Sequence, residues 1–291
     1  MVRNMKKMLI LIVLLLCLYS ESWAAITFGN TGITGLWVQD FDGMGDWVDN
    51  PSQPVWTGTI YGMDYGSNRG QPANGSYYSE ISSSYGKSGK GFRQWTATTH
   101  NGFSCGLRPM FPSNLSELWL RASFRWRPMS GLNASGNYKK VFYMMPVGSC
   151  VDGHDAQTNG SFLEYFIGGT YNFSYAATGG YTTTFIDNQW HTIEIHIGGA
   201  RRQMWVDGVN VIDVAVGPPT CPWSGVRILE NNSINDGNAW PIYIDVDDVA
   251  IAINSYTGFV VDSGGRNMIG PAGGVPSGRP SPPSNFGITG P

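Results

Sequence analysis

The chain is poor in charge. Only 13% of its 291 residues are charged, and 18 Lys and Arg stand against 21 Asp and Glu, which gives a formal net charge of −3 at pH 7. No run of Lys or Arg is longer than two residues. Proteins that bind nucleic acid need a concentrated basic surface to neutralise phosphates. The charge balance therefore argues against nucleic acid as a partner.

The signature motifs of several enzyme classes are also absent. The sequence has no Gly-x-Ser-x-Gly, no His-Glu-x-x-His, no P-loop and no Cys-x-x-Cys. These spacings build a nucleophile elbow, a zinc site, a phosphate cradle and a redox pair respectively. Serine hydrolases of the α/β type, zincins, P-loop nucleotide-binding proteins and thioredoxin-like proteins are therefore not predicted.

Long apolar runs are missing, apart from one near the N-terminus. Arg3, Lys6 and Lys7 precede an apolar run of about 11 residues, and Ser22-Trp23-Ala24 fits a small-x-small cleavage site. A membrane span needs about 20 apolar residues, so this run is too short. We predict a signal peptide over residues 1–24, no membrane span after processing, and a secreted, extracellular or cell-surface protein.

What the chain does have is glycine and aromatic residues. It contains 39 Gly, and Phe, Trp and Tyr make up 13% of it, with few segments of helical periodicity. This composition is typical of an all-β extracellular protein. The part that follows residue 24 is long enough to bury a sizeable core in one domain.

Three cysteines remain after the predicted cleavage: Cys105, Cys150 and Cys221. An oxidising compartment allows one disulfide among them and leaves one thiol. The sequence does not choose among the three pairings.

A β-hairpin is predicted from Trp190 onward. Isoleucines alternate there with polar residues at a period of two: Ile193, Ile195 and Ile197 against Glu194 and His196. The pair Asp207-Gly208 then supplies the positive φ that reverses the chain. We expect strands with one dry face and one wet face.

A second alternating strand runs from Leu118 to Arg127. Apolar residues occupy one face: Leu118, Leu120, Ala122, Phe124 and Trp126. The other face carries Trp119, Arg121, Ser123, Arg125 and Arg127. The pattern predicts one face in the core and one basic face.

These segments resemble a known superfamily. The stretch Trp190-His191-Thr192-Ile193-Glu194-Ile195, then Met204-Trp205-Val206-Asp207-Gly208 and the closing run 242–251, are similar to the concanavalin A-like lectins and glucanases, and above all to their laminin G-like and polysaccharide-lyase-like modules. The resemblance covers about residues 36–256. It implies a two-sheet antiparallel β-sandwich of jelly-roll form. It leaves function open, because the superfamily includes lectins, hydrolases, lyases and adhesion modules.

Carboxylates at Asp245, Asp247 and Asp248 are the nearest approach to the Glu-x-Asp-x-Glu pattern of glucanases in this superfamily, but they differ in residue type. We interpret them as structural. No cofactor is predicted, with structural calcium as the alternative: Asp40 or Asp42 with Asp247 or Asp248 would supply hard oxygen ligands.

The segment 165–172 resembles the Tyr-Phe-Lys-x-Gly-x-Tyr-Asn segment of some alginate lyases, in which the second Tyr, here Tyr171, moves a proton on the sugar. Ile167 stands at the Lys position, so the group that neutralises the uronate is missing. We therefore do not predict lyase chemistry by this route, and whether the protein is an enzyme stays open.

The predicted function is binding of a polysaccharide. If the basic face of 118–127 lines the binding surface, it would favour acidic sugars. Aromatic rings stack on sugar C–H faces, and charged groups hold hydroxyls and carboxylates. The predicted carbohydrate-binding residues are Arg125, Lys140, Tyr143, Glu164 and Tyr171. Two alternatives remain: a polysaccharide lyase or glycoside hydrolase of the same fold, and a structural or adhesive module that binds protein.

The sequence changes character at Gly264, because 14 of the 28 residues of 264–291 are Gly or Pro. Such composition predicts a disordered linker or tail that could connect to a downstream or partner module. The predicted division is 1–24 signal peptide, 25–263 sandwich domain and 264–291 tail.

Overall fold

The structure is a computed structural model. It describes residues 25–48, 59–60, 63–65, 77–96, 100–103, 106–126, 137–147, 162–167, 172–175, 180–182, 187–215, 218–219, 221–229, 231–234 and 242–270. The described residues form β-strands and turns without a helix, and every strand pair is antiparallel. Within these ranges, no helix is long and apolar enough to cross a membrane.

Among the described residues, nine strands form the first sheet. They are β1 (Leu36–Gln39), β2 (Trp47–Val48), β5 (Tyr77–Ser82), β6 (Gly91–Thr96), β9 (Leu118–Trp126), β14 (Trp190–Gly198), β15 (Arg201–Val206), β16 (Val209–Ala215) and β19 (Ile242–Ala252). Their order is β16-β15-β14-β9-β19-β6-β5-β2, and β1 pairs with β19. Strands distant in sequence are therefore neighbours at the centre of the sheet.

The second sheet contains ten strands in the part of the chain that the structure describes. They are β3 (Thr59–Ile60), β4 (Met63–Tyr65), β7 (His100–Phe103), β8 (Leu107–Leu115), β10 (Asn137–Pro146), β11 (Phe162–Ile167), β12 (Asn172–Tyr175), β13 (Gly180–Thr182), β17 (Trp223–Ile228) and β18 (Asn231–Ile234). The main order is β13-β12-β11-β10-β17-β8-β4-β3. A separate pair, β20 (Val260–Val261) and β21 (Asn267–Met268), follows β19.

Both sheets bury their inner faces in one hydrophobic core. Phe124 of the first sheet, for example, packs on Phe142 of the second with ring centroids 5.6 Å apart. The alternation predicted for β9 is confirmed, since these residues belong to that core: Leu118, Leu120, Ala122, Phe124 and Trp126. The predicted two-sheet antiparallel sandwich is therefore what the chain forms.

The Asp207-Gly208 turn is confirmed as well. Both residues have positive φ, 50° and 81°, and β15 pairs with β16 directly across them. Two successive residues in the left-handed region give a turn whose twist matches that of the strands it joins.

Part of the outer face of the first sheet differs from the prediction, because it is buried around Glu194 and Arg121. Glu194 and Arg121 are each only 1% exposed. Residues 253–270, which we call the C-terminal strap, lie over this face, with Ile269 buried in a small cluster that includes Leu36 and Tyr256. The alternation of β9 and β14 indicates which residues leave the core but not what covers them.

The strap also extends the ordered sandwich past residue 263. The sequence places 264–270 in the tail, whereas Ile269 and Met268 are buried and the Trp119 indole Nε1 donates to Asn267 O at 2.9 Å. Glycine content suggested a linker, but here it serves tight turns: Gly265 and Gly270 have φ of 80° and 87°. The remainder of the predicted tail, and the predicted signal peptide, lie outside the described residues.

Candidate functional site

A row of charged and aromatic side chains crosses the outer face of the first sheet. In the strand register, Trp190 is opposite Arg125, Arg125 is opposite Asp245, and Asp245 is opposite Arg93. The guanidinium carbon of Arg93 lies 3.7 Å from the centroid of the Tyr85 ring, and that of Arg125 lies 4.9 Å from the Trp190 ring. We call these five residues the Asp245 row.

Asp245 is the centre of the row and is fully buried. Arg93 donates to it from Nε at 2.5 Å and from Nη2 at 2.9 Å, while Arg125 donates from Nε at 2.9 Å and from Nη2 at 2.6 Å. Burial alone would lower the pKa of Arg93, but the hydrogen bonds and charge of Asp245 outweigh it and raise that pKa overall. This carboxylate therefore ties β9, β19 and β6 together, as expected for a structural aspartate.

Asp247 holds a loop against the same face. Its Oδ2 accepts from the backbone N–H groups of Lys87 at 2.8 Å and Ser88 at 3.3 Å, and its Oδ1 accepts from Asp248 N at 2.7 Å. Burial, followed by the nearby charge of Asp248, raises the pKa of Asp247 to about 7. Asp248 has a positive φ of 52° at the bulge of β19, where the chain turns toward the loop.

The carboxylates suggested for calcium contact this loop from two sides. Asp42 Oδ1 accepts from Lys90 N at 2.7 Å, while Asp247 accepts from the loop at Lys87. Among the described residues, no group of three or more His, Cys, Asp or Glu side chains is arranged to hold a metal ion. Backbone N–H groups thus bind the carboxylate oxygens that a calcium ion was expected to bind. Structural calcium stays a prediction.

Glu194 and Arg121 fasten the strap. The Glu194 carboxylate accepts from the backbone N–H groups of Ile269 and Gly270, the latter at 3.1 Å, and Arg121 Nη1 donates to Gly270 O. Burial raises the pKa of Glu194 to about 7, against the opposing effect of these hydrogen bonds and of Arg121. Glu194 is opposite Arg121 in the strand register, and the strap backbone provides hydrogen bonds to both of these buried groups.

Both histidines noted in the sequence are held within such networks. His196 lies between Gln203 Oε1 and Glu117 Oε1, each 2.9 Å from a ring nitrogen. His191 Nδ1 lies 2.7 Å from Asp207 Oδ2, next to the hairpin turn. These contacts give each histidine a structural role.

The outer face of the second sheet carries a different set of residues. Tyr143 is opposite Arg227 in the register of β10 and β17, and the Arg227 guanidinium carbon lies 5.5 Å from the Tyr143 ring centroid. The pairing of Ile228 with Leu107 sets Arg227 opposite Arg108 on the next strand, β8. Tyr143 and Arg108 are buried, and Arg227 is half-buried. We call Arg108, Arg227 and Tyr143 the arginine–tyrosine row.

The structure divides the predicted binding residues between the two sheets. Tyr143 belongs to the arginine–tyrosine row, and in the backbone register Lys140 of β10 is opposite Glu164 of β11, close to Tyr143 in the same strand. The side chains of Lys140 and Glu164, and the whole of Tyr171, lie outside the described residues. Arg125 is on the first sheet, on the other side of the core.

Sequence reasoning missed Arg108 and Arg227. Each stands between core residues in its strand: Arg108 follows Leu107, and Arg227 separates Val226 from Ile228. The alternation that identified the outer face of β9 could have indicated both. Their juxtaposition needs the strand order β10-β17-β8, which the sequence does not give.

The buried Cys221 takes part in a disulfide bond. Cys105 and Cys150, the other two cysteines of the predicted mature chain, lie outside the described residues.

No protein-family model matches the chain, and no curated protein sequence matches it. Among solved structures it is similar to a cellulose-induced protein, with 14% identity, a TM-score of 0.42 and coverage of 61% of this chain and 86% of that one. It is similar to a Bacillus licheniformis β-glucanase with 12% identity, a TM-score of 0.43 and coverage of 76% and 99%. It is also similar to a family 7 alginate lyase, with 9% identity, a TM-score of 0.39 and coverage of 56% of this chain and 77% of that one.

Proposed function

We propose that this protein is a secreted polysaccharide-binding β-sandwich, which uses the outer face of the second sheet and favours acidic sugars. The arginine–tyrosine row is the centre of the site. Its half-buried member Arg227 can contact a sugar, because guanidinium groups bind carboxylates or sulfates with two parallel hydrogen bonds. The buried Tyr143 ring lies beside Arg227 and supports it. The predicted signal peptide would deliver the protein to polysaccharides outside the cell.

The observation that carries this proposal is the placement of two arginines opposite each other on β17 and β8. Like charges directly opposite on one sheet face destabilise the pair of strands. Arg227 further lies against Tyr143, so cation and ring are held together. The two guanidinium groups concentrate positive charge on this face, and such charge attracts the carboxylates or sulfates of an acidic sugar.

The register extends this surface along β10 and β11. Lys140 and Glu164 are paired positions, and Asp64 of β4 is opposite Arg108. Residue types of both charges at these register positions can bind hydroxyl groups as well as carboxylates. This supports a chain of several sugars as the ligand.

Affinity electrophoresis tests the proposal. The protein from residue 25 to residue 291 is run through gels that contain a neutral glucan or a polymer of uronic acids, with Arg227→Ala and a control, Arg201→Ala. Arg201 is half-exposed and ion-paired to Asp213 on the first sheet. We expect the uronic-acid gel to retard the wild type and Arg201→Ala, and to retard Arg227→Ala clearly less.

Other outcomes would contradict the proposal in different ways. Equal retardation of Arg227→Ala and the wild type would place the site elsewhere. A gel cleared of polymer along the track would indicate a lyase or hydrolase. Absence of both effects in every polymer would favour the adhesive, protein-binding alternative.

A further inference from the structure

Arg125, the predicted sugar-binding residue of the first sheet, is separated from the arginine–tyrosine row by the whole core. The inner faces of both sheets meet in one hydrophobic cluster. The outer faces must therefore point in opposite directions. A polysaccharide chain that lies along β10, β17 and β8 does not reach Arg125, so Arg125 belongs to a separate surface.

On that surface, Arg125 and Trp190 present groups that can bind a sugar. Arg125 and Trp190 are both half-buried, so their outer edges face solvent. The two bonds to Asp245 occupy two of the five N–H donors that a guanidinium carries. Asp245 also fixes the position of Arg125, and a side chain that is already immobilised loses less entropy when a ligand binds.

Hydroxyl and charged groups lie beside Arg125 on the same face. Lys87 Nζ is 3.3 Å from the Ser123 hydroxyl and 3.8 Å from Asp248 Oδ2, and the Lys87 side chain is 34% exposed. The Thr192 hydroxyl lies 3.4 Å from that of Ser123. An aromatic edge, an ammonium, a guanidinium, a carboxylate and hydroxyls on neighbouring strands of one face form a mixture that binds pyranose hydroxyls.

We infer that Arg125, Trp190 and Lys87 form a second carbohydrate-binding site on the outer face of the first sheet. The inference rests on the proposed function of the second sheet. Two sites on opposite faces of one rigid domain cannot both bind one short stretch of polymer. The protein therefore bridges two polysaccharide chains, and its effective affinity for a chain network exceeds that of either site.

Cross-linking of a soluble uronic-acid polymer tests this. The protein, residues 25–291, is titrated into the polymer, and turbidity is followed together with retardation in affinity gels. A bridging protein gives a turbidity maximum at an intermediate ratio of protein to polymer. Charge neutralisation does not produce this maximum, because the polymer is anionic and residues 25–291, with 15 Lys and Arg against 20 Asp and Glu, have a formal net charge of −5.

Single-site variants give the decisive comparison. We expect Arg227→Ala, Arg125→Gln and the milder Lys87→Ala each to lose the turbidity maximum or reduce it severalfold while they keep part of the gel retardation. The control Arg201→Ala should behave as the wild type. Circular dichroism and size-exclusion chromatography verify that each variant is folded and that the wild type is a monomer.

The failures are distinguishable. A wild type that is retarded but never cross-links the polymer overturns the second site and leaves the proposed function intact. So does complete loss of retardation in Arg227→Ala, because one site then accounts for all binding. If the protein is a dimer and cross-linking persists in Arg125→Gln and Lys87→Ala, the second site is also overturned. A wild type retarded by no polymer removes the proposed function itself.

Discussion

The Arg125 Nη2 atom lies 2.6 Å from Asp245 Oδ2, although the two residues are 120 positions apart in the sequence. Arg93 binds the same carboxylate from the other side. One buried aspartate thus joins three strands, β6, β9 and β19, that are far apart in the sequence. The first sheet is therefore held by this buried charge as well as by its apolar face.

Asp245→Asn should destabilise the protein strongly. The change leaves two largely buried guanidinium groups without their counter-charge, and breaking a buried ion pair costs about 3–5 kcal/mol. The free energy of unfolding in urea measures the loss. Asp46→Asn is the control, because Asp46 is 70% exposed in its ion pair with Lys90 and such a pair contributes about 0–1 kcal/mol. Equal effects of the two changes would contradict the central role of Asp245.

Glu194→Gln should loosen the C-terminal strap. The carboxylate accepts from two backbone N–H groups with two oxygens, whereas an amide has a single acceptor oxygen. We expect faster hydrogen exchange at Ile269 and Gly270 than in the wild type. Exchange in the central strand β9 should change far less. Unchanged protection at both strap residues would show that Glu194 does not hold them.

The stability of the protein should fall as the pH rises from about 4.5 to about 7. Burial raises the pKa of Glu194 and Asp247 to about 7 in the folded protein, above the values of 4.5 and 3.8 for exposed groups. In this window the folded state binds more protons than the unfolded state, so these groups stabilise it at low pH and the gain is lost as they ionise. Urea unfolding at a series of pH values measures the slope. The slope should be smaller in Asp247→Asn, and the same slope in both proteins would refute the assignment.

Gly208→Ala should cost about 1–2 kcal/mol through the backbone alone, because an alanine in the left-handed region is strained. Gly208 has φ of 81°, and an added Cβ would meet nothing within 4 Å. Gly45→Ala is the matched control, since a Cβ there is equally free of contacts and its φ is ordinary. A thermal melt of each variant compares them, and we expect Gly45→Ala to melt close to the wild type.

The sequence predicted what depends on local periodicity. The two faces of β9 and the turn at Asp207-Gly208 follow from residue alternation and from turn geometry. Contacts between distant segments could not be predicted in this way. Nothing near Glu194 indicates that its partners are Ile269 and Gly270, in a stretch whose glycine content resembles a linker.

The candidate site shows the same limit. Tyr143, Lys140 and Glu164 were predicted by residue type, and the register places them on the adjacent strands β10 and β11. Arg227 was overlooked because it is a candidate only through its neighbours Tyr143 and Arg108. Strand pairing places these residues next to it. Arg125 was grouped with the others because a sequence does not indicate to which sheet a strand belongs.

The most direct measurement is the retardation of Arg227→Ala relative to Arg201→Ala in a gel containing a uronic-acid polymer. Both variants remove one arginine, so the change in net charge is the same. If the outer face of the second sheet binds acidic polysaccharide, Arg227→Ala is retarded much less than Arg201→Ala, which migrates as the wild type does. Equal retardation of the two variants would contradict the account.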